Sequence, residues 1–179
     1  YDVDFETRND VTIPEYLKMI EYKTAVLVAA AMKMGAIIAQ TSKENSKLIY
    51  EFGLNLGLAF QLQDDYLDAF GDPKTFGKQV GGDIIENKKT YLYLKALEFA
   101  APEEKEKLIQ LFSVQIEDNK DKIEAVKHIF NSTGASLATQ KAIEEFTLKA
   151  FNTLEKIEIS KDKKTMLKEF GQSLMSRNK

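Results

Sequence analysis

The sequence predicts an all-α fold, in which long helices joined by short connections form a bundle. Apolar residues recur at three- and four-residue spacing through most of the 179 residues, and no useful run alternates with a period of two. Only 3 prolines and 9 glycines interrupt this pattern, and 44% of the residues are hydrophobic. We therefore expect residues 1–179 to form a single all-helical domain. Because the chain begins at Tyr1 rather than at a methionine, we expect it to be a fragment of a longer protein.

Two long helices are predicted before residue 71. Thr12 followed by Pro14 is typical of a helix start, and the apolar spacing continues from there to about Gln40. Thr41–Glu44 has the pattern of a capping box, in which a threonine and a glutamate three residues later satisfy each other's backbone amides. The second predicted helix runs from this box to about Phe70.

A glycine-rich loop and further helices are predicted after Phe70. Residues 71–82 contain four glycines and one proline, which is a loop composition. We expect Asp83 to cap the next helix, Pro102 to start another and Ser160 to start the last. The predicted helical ranges are 83–100, 102–117, 118–130, 133–159 and 160 onward.

The composition restricts the chemistry. The net charge is -3, so there is no basic footprint for nucleic acid, and we predict no nucleic-acid partner. The absence of cysteine excludes disulfides, cysteine nucleophiles and thiolate metal sites. The single histidine, His128, excludes a multi-histidine zinc site, and we assign it no role. The metal sites that remain possible are those with oxygen ligands, for Mg²⁺, Mn²⁺ or Ca²⁺.

No membrane span is predicted. The longest apolar stretch, residues 25–39, is interrupted by Lys33 and is short for a bilayer-crossing helix. It has the pattern of a buried core helix. No signal peptide is visible, so we predict a cytoplasmic protein.

Three aspartates end the second long helix on one face. At helical spacing Gln61, Asp64, Asp65 and Asp68 share a stripe, and residues 48–73 contain no lysine or arginine. An unpaired buried carboxylate is costly, so such a stripe on an otherwise apolar helix is expected to face a cavity, a metal ion or partner groups. The alternative is that the helix leaves the core at Asp64 and the acids are its solvated end.

Two lysine-containing elements could neutralise a diphosphate. Lys23 and Thr24 lie on an apolar helix face, where the lysine either binds phosphate or extends along the surface to water. Lys78 lies in the glycine-rich segment 76–83 and Lys88 follows it, and both could equally be ordinary surface lysines.

Together these residues resemble the trans-isoprenyl diphosphate synthases, the polyprenyl synthetase family that includes farnesyl and geranylgeranyl diphosphate synthases. Phe60–Asp68 resembles the second aspartate-rich motif of the family. The segment Gly77–Asp83, with Asn87–Lys88, resembles the segment that follows this motif, and Lys23–Thr24 resembles the family's Lys-Thr pair. The resemblance extends over nearly the whole chain.

The resemblance implies a prenyltransferase with the isoprenoid synthase fold. Its substrates would be isopentenyl diphosphate and an allylic diphosphate, its cofactor Mg²⁺ with Mn²⁺ as an alternative, and the full-length protein would be a homodimer. The implied metal ligands are Asp64, Asp65 and Asp68. The implied substrate-binding residues are Lys23, Lys78 and Lys88 at the diphosphate, Thr24 and Gln61 beside the allylic carbon, and Phe60 near the homoallylic substrate. The implied catalytic residues are Lys23, Thr24, Gln61 and Asp64.

One family element is not in this sequence. The first aspartate-rich motif lies upstream in the family, so the resemblance implies that this chain is the C-terminal portion of a larger isoprenoid synthase domain whose N-terminal part is missing. We therefore expect no prenyl transfer by the 179-residue chain alone, and product length is not predicted. We also expect Leu27, Val28, Leu58 and Leu62 to be exposed, so that the chain either self-associates through these faces or derives from a longer protein clipped before Tyr1. Three alternatives remain at this point: a class I terpene cyclase, a non-catalytic subunit of a heteromeric synthase, and a helical scaffold with an incidental acidic helix end.

Overall fold

The computed structural model describes residues 8, 10–72, 80–113 and 119–176. The regular structure of these residues is helical and contains no strand, which confirms the predicted all-α class. The helices are α1 Ile13–Ile20, a π-helical turn Glu21–Ala25, α2 Val26–Ile38, α3 Lys43–Phe70, α4 Gly82–Ile85, α5 Tyr91–Phe99, α6 Pro102–Ser113, α7 Asn119–Ser132, α8 Ala135–Glu155 and α9 Lys161–Met175.

The helix starts follow from side-chain caps. The Oε2 atom of Glu15 accepts the backbone N–H of Thr12 at 2.9 Å, and the Oγ1 atom of Thr12 accepts the N–H of Glu15 at 3.4 Å, which confirms the predicted start of α1. At α3 the cap is one residue later than predicted, because the Oγ atom of Ser42 accepts the N–H of Asn45 at 3.1 Å. Thr41 instead accepts a bond from the side-chain amide of Asn45 at 3.3 Å.

Two predicted continuous helices are interrupted. The π-helical turn Glu21–Ala25 separates α1 from α2, although this segment contains no glycine or proline. The predicted helix 83–100 is wrong at residues 86–90, where Asn87 has a φ of 56° and the chain leaves α4 before α5 begins. Asparagine tolerates this left-handed conformation better than most residues, which makes the break inexpensive there.

The other boundaries are close to the predictions. Helix α8 begins at Ala135 and ends at Glu155, within the predicted range 133–159. The predicted end of the helix near Glu117 lies outside the described residues, since the description of α6 ends at Ser113.

The chain divides into two compact units, which we call unit 1 and unit 2. Unit 1 comprises residues 1–16 and 64–141 with residue 178, and unit 2 comprises residues 17–63 and 142–177 with residue 179. Helix α3 contributes residues 43–63 to unit 2 and 64–70 to unit 1. The single domain proposed for residues 1–179 stays a prediction.

The core of unit 2 forms where α3 packs against α8. Six side chains on these helices and the turn that follows α8 are almost fully buried: Ile49, Phe52, Leu56, Ala150, Leu154 and Ile157. A Cβ atom added at Gly57 would lie 2.7 Å from the Cα atom of Ala25, and one added at Gly53 would lie 2.9 Å from that of Ala29. Helix α3 therefore touches the backbone of the π-helical turn and of α2 only because these two positions are glycine.

The predicted exposure of apolar side chains is only partly observed. Leu27 is 73% exposed, as expected. Leu58 and Leu62 are only 7% and 0% exposed, so the prediction that they are uncovered is wrong. Among the described residues, no helix has both the length and the apolar character that crossing a bilayer requires.

Candidate functional site

The π-helical turn presents the predicted Lys-Thr pair within unit 2. The hydroxyl of Thr24 donates a hydrogen bond to the Oε1 atom of Gln61 at 2.9 Å, so two predicted site residues from distant parts of the sequence meet. Lys23 is exposed, and Phe60, which precedes Gln61 on α3, is half-buried. Because π-helical turns are frequent at functional sites, this departure from α-helix at residues 21–25 marks the pair as a candidate.

Gly57, at which α3 touches the π-helical turn, is part of this arrangement. Gly57 is one helical turn before Gln61, and Ala25 directly follows Thr24. The close approach of Gly57 to Ala25 therefore fixes the distance between the two elements at the point where Thr24 reaches Gln61.

In unit 1 the predicted metal ligands Asp65 and Asp68 accept specific hydrogen bonds. The hydroxyl of Tyr16, a residue only 1% exposed, donates a short hydrogen bond to the Oδ2 atom of Asp65. The backbone N–H of Asp83 donates to the Oδ2 atom of Asp68 at 2.8 Å. Charge-assisted bonds of this kind fix the orientation of a carboxylate.

A glycine turn wraps around Asp68. The N–H of Gly81, which has a φ of 87°, donates to the backbone carbonyl of Asp68 at 2.6 Å. A Cβ atom at Gly82 would lie 3.1 Å from the Oδ1 atom of Asp68, so a larger residue would press on the carboxylate. The two glycines thus let the backbone close on Asp68 and deliver the N–H of Asp83 to it.

Lys88 is the cation of this group. Its Nζ atom lies 2.9 Å from the Oδ1 atom of Asp83 and 2.7 Å from the Oε2 atom of Glu86. Burial lowers the pKa of Lys88, but its hydrogen bonds to Glu86 and Asp83 outweigh that and raise the pKa above its usual value. Lys88 is therefore charged and is positioned by two acids, one of which contacts Asp68 through its backbone.

The carboxylates of unit 1 repel one another. Burial, assisted by the charges of Asp83 and Asp64, raises the pKa of Asp68 to about 6, although the N–H of Asp83 and the charge of Lys88 act in the opposite direction. Burial and the neighbouring Asp65 and Asp83 likewise raise the pKa of the Tyr16 hydroxyl. A group with this excess of negative charge is stabilised by an added cation.

The donor set fits Mg²⁺ as one part of a larger ligand sphere. Asp64, Asp65 and Asp68 offer only carboxylate oxygens, the ligand type that Mg²⁺ prefers, and Mg²⁺ usually takes one or two carboxylates and fills its sphere with water and phosphate oxygens. Within the described ranges, no three acidic or histidine side chains converge closely enough to hold a metal ion by themselves.

Sequence reasoning missed three residues of this group and left one untested. Tyr16 carries no local signal of its role, and Asp83 and Glu86 are predicted from the sequence to cap a helix, without a role of their own in the site. Lys78 lies outside the described residues. A surface groove of about 720 Å³ in unit 1 is lined by Val80 and one face of α7, and it includes none of the predicted site residues.

Known proteins resemble this chain over nearly its full length. A geranylgeranyl diphosphate synthase from Saccharolobus solfataricus is 36% identical over 179 residues, which is 99% of this chain and 53% of that protein. The crystal structure of a geranylgeranyl pyrophosphate synthase has a TM-score of 0.92 at 51% identity, over 99% of this chain and 55% of that one. A second structure is that of the geranylgeranyl pyrophosphate synthase from Corynebacterium glutamicum, complexed with isoprenyl diphosphate and magnesium. Its TM-score is 0.89 at 27% identity, over 98% of this chain and 50% of that one.

Residues 1–130 match the model of the polyprenyl synthetase family. The chain belongs to this family, which confirms the predicted relationship and the isoprenoid synthase type of fold. The alternative of an unrelated helical scaffold is therefore wrong. The chain spans about half the length of the relatives it matches.

Proposed function

We propose that the chain provides the second aspartate-rich part of a synthase that joins isopentenyl diphosphate to an allylic diphosphate. The observation that supports this most strongly is the connection of Asp68, Asp83 and Lys88 in unit 1. It combines a carboxylate with a positioned lysine, and a metal-bound diphosphate needs both kinds of charge.

In this proposal Asp64, Asp65 and Asp68 hold Mg²⁺, with Mn²⁺ as the alternative ion. When bound, the ion stabilises the negative charge that grows on the departing diphosphate. Lys23, Lys78 and Lys88 bind diphosphate oxygens.

The hydroxyl of Thr24 and the amide of Gln61 orient the allylic carbon, and Phe60 contacts the homoallylic substrate. The double bond of isopentenyl diphosphate forms the new carbon–carbon bond as the allylic C–O bond breaks. The departing diphosphate accepts the proton that is then lost, and apolar walls exclude water.

A calorimetric titration tests this proposal. The 179-residue chain is titrated with a non-hydrolysable allylic thiodiphosphate, with and without Mg²⁺. We expect binding that requires Mg²⁺ and is weakened at least about tenfold by Asp64→Asn, since one metal ligand is lost. Asp121→Asn is the matched control, because it removes one exposed charge from α7 of the same unit and should leave binding unchanged. Equal affinity with and without Mg²⁺, or no binding at all, would overturn the proposal.

Three further properties remain predictions. They are homodimer formation by the longer protein, a cytoplasmic location, and the absence of prenyl transfer by the 179-residue chain alone. Sedimentation of the longer protein and a product assay on the chain test the first and the last.

A further inference from the structure

Lys122 is a buried lysine that the proposed mechanism does not use. It lies on α7, is 2% exposed, and its ammonium donates a hydrogen bond to the Oδ1 atom of Asn87 at 2.6 Å. The ring of Phe112 lies 5.8 Å from the same ammonium. Burial lowers the pKa of Lys122, as expected for a charge removed from water. An apolar side chain would fill this position with less cost, so the ammonium is expected to have a specific task.

Its acceptor, Asn87, occupies the turn that presents Lys88. Asn87 has a φ of 56°, a left-handed conformation that interrupts the predicted helix. Its N–H donates to the carbonyl of Ile84 at 3.2 Å, and the N–H of Lys88 donates to the carbonyl of Asp83 at 2.8 Å. The direction of the Lys88 side chain toward Asp83 therefore depends on the conformation of residue 87.

The bond from Lys122 ties this turn to another helix. Asn87 and Lys122 are 35 residues apart in sequence, and α4 and the turn after it have no strand or disulfide to hold them. A four-residue helix is marginal without tertiary support. The bonds from Gly81 and Asp83 to Asp68 support the start of α4, and the ammonium of Lys122 adds a side-chain contact at the residue that precedes Lys88.

We propose that Lys122 is a positioning residue for diphosphate binding: through the side chain of Asn87 it fixes the left-handed turn that places Lys88 beside Asp83. This inference rests on the proposed role of Lys88 at the diphosphate. In this proposal Lys122 acts through Asn87 and is assigned no contact with the ligand.

A pair of substitutions on the 179-residue chain tests the proposal. Lys122→Met keeps the apolar stem and removes the ammonium, whereas Asn87→Gly keeps the left-handed conformation and removes the acceptor. Amide hydrogen exchange at residues 87 and 88 reports on the turn without any ligand. Calorimetry with Mg²⁺ and the allylic thiodiphosphate reports on binding, and urea unfolding reports on global stability. Lys105→Met is the control, since it removes an exposed lysine from α6 of the same unit.

We expect Lys122→Met to accelerate exchange at residue 88 about tenfold and to weaken thiodiphosphate binding about five- to tenfold. The urea midpoint should stay the same or rise, because an apolar group replaces a buried ammonium. Asn87→Gly should weaken binding and also lower the midpoint, since it leaves the ammonium of Lys122 without its acceptor. The double variant should have a higher urea midpoint than Asn87→Gly, because it no longer contains the ammonium without its acceptor. It should bind the thiodiphosphate no worse than either single variant.

Other results would overturn the proposal. If Lys122→Met lowers the midpoint while exchange and affinity at the turn match those of the Lys105→Met control, Lys122 is merely structural. Faster exchange without any change in affinity would show that the turn does not position a ligand-binding lysine. If the unmodified chain binds no thiodiphosphate, the proposed function fails. In that case unchanged exchange in Lys122→Met would separately disprove the link between Lys122 and the turn.

Discussion

Replacing Gly57 with alanine should destabilise the protein through one identifiable contact. The new Cβ atom would lie 2.7 Å from the Cα atom of Ala25 and 3.0 Å from its Cβ atom. Ordinary contacts of a Cβ atom begin near 3.4 Å, so α3 and the π-helical turn must separate by roughly 0.7 Å. Neither partner atom is the end of a flexible side chain, and the backbone itself must therefore move.

The size of the effect follows from two opposing contributions. Overpacking of this kind costs about 1–3 kcal/mol. Glycine to alanine in a helix also contributes about 0.5–1 kcal/mol of stabilisation, because glycine loses more conformational freedom on folding. The second contribution is isolated by Gly35→Ala, since position 35 in α2 is helical, exposed and has no atom within 4 Å of an added Cβ.

The comparison of the two variants cancels the propensity contribution. We expect the free energy of unfolding of Gly57→Ala to be lower than that of Gly35→Ala by about 1–3 kcal/mol. For a urea dependence of about 2 kcal/mol per molar, the midpoints measured by circular dichroism at 222 nm should differ by about 0.5–1.5 M. The separation should also lengthen the hydrogen bond from Thr24 to Gln61, which chemical shifts of the Gln61 side-chain amide would detect. A midpoint for Gly57→Ala equal to that of Gly35→Ala would refute the close approach of the backbones.

Three further predictions concern single hydrogen bonds and one titration. Tyr16→Phe removes the hydroxyl that donates to Asp65. It should lower the free energy of unfolding, measured in urea, by about 1.5–3 kcal/mol, and no measurable change would show that the contact is dispensable. Ser42→Ala should lower the free energy of unfolding by about 1 kcal/mol, and Thr41→Ala should lower it clearly less, because Ser42 caps α3. A larger loss for Thr41→Ala in thermal unfolding would show that Thr41 is the cap. With EDTA present, Asp68→Asn should raise the Tm more at pH 8 than at pH 5. The reason is that a folded-state pKa of about 6, above the ordinary 3.8, makes the charged carboxylate oppose folding as pH rises. An equal gain at both pH values would contradict this sign.

The sequence by itself determined the helical class and much of the site composition. Apolar spacing and caps are local properties, so the starts near Thr12 and Ser42 and the end of α3 at Phe70 were predicted to within a residue or two. The aspartates of the stripe were recognisable because acids without nearby lysines are unusual on an apolar helix. The pattern of these motifs also identified the family.

Tertiary contacts decided the remaining features. The π-helical turn lies where Gly57 meets Ala25, 32 residues away, and the helix break at Asn87 is bonded to Lys122 on α7. Tyr16 reaches Asp65 across 49 residues. No local propensity encodes such pairs, because each depends on where two distant helices pack.

Burial and charge were likewise decided by packing. Leu58 and Leu62 were expected on an open face and are covered, whereas Leu27 on α2 is exposed. The raised pKa of Asp68 arises because burial removes water from the carboxylate and because the charges of Asp83 and Asp64 act on it. A sequence lists which carboxylates exist, but only the folded chain sets the distances and the desolvation that determine how strongly they repel.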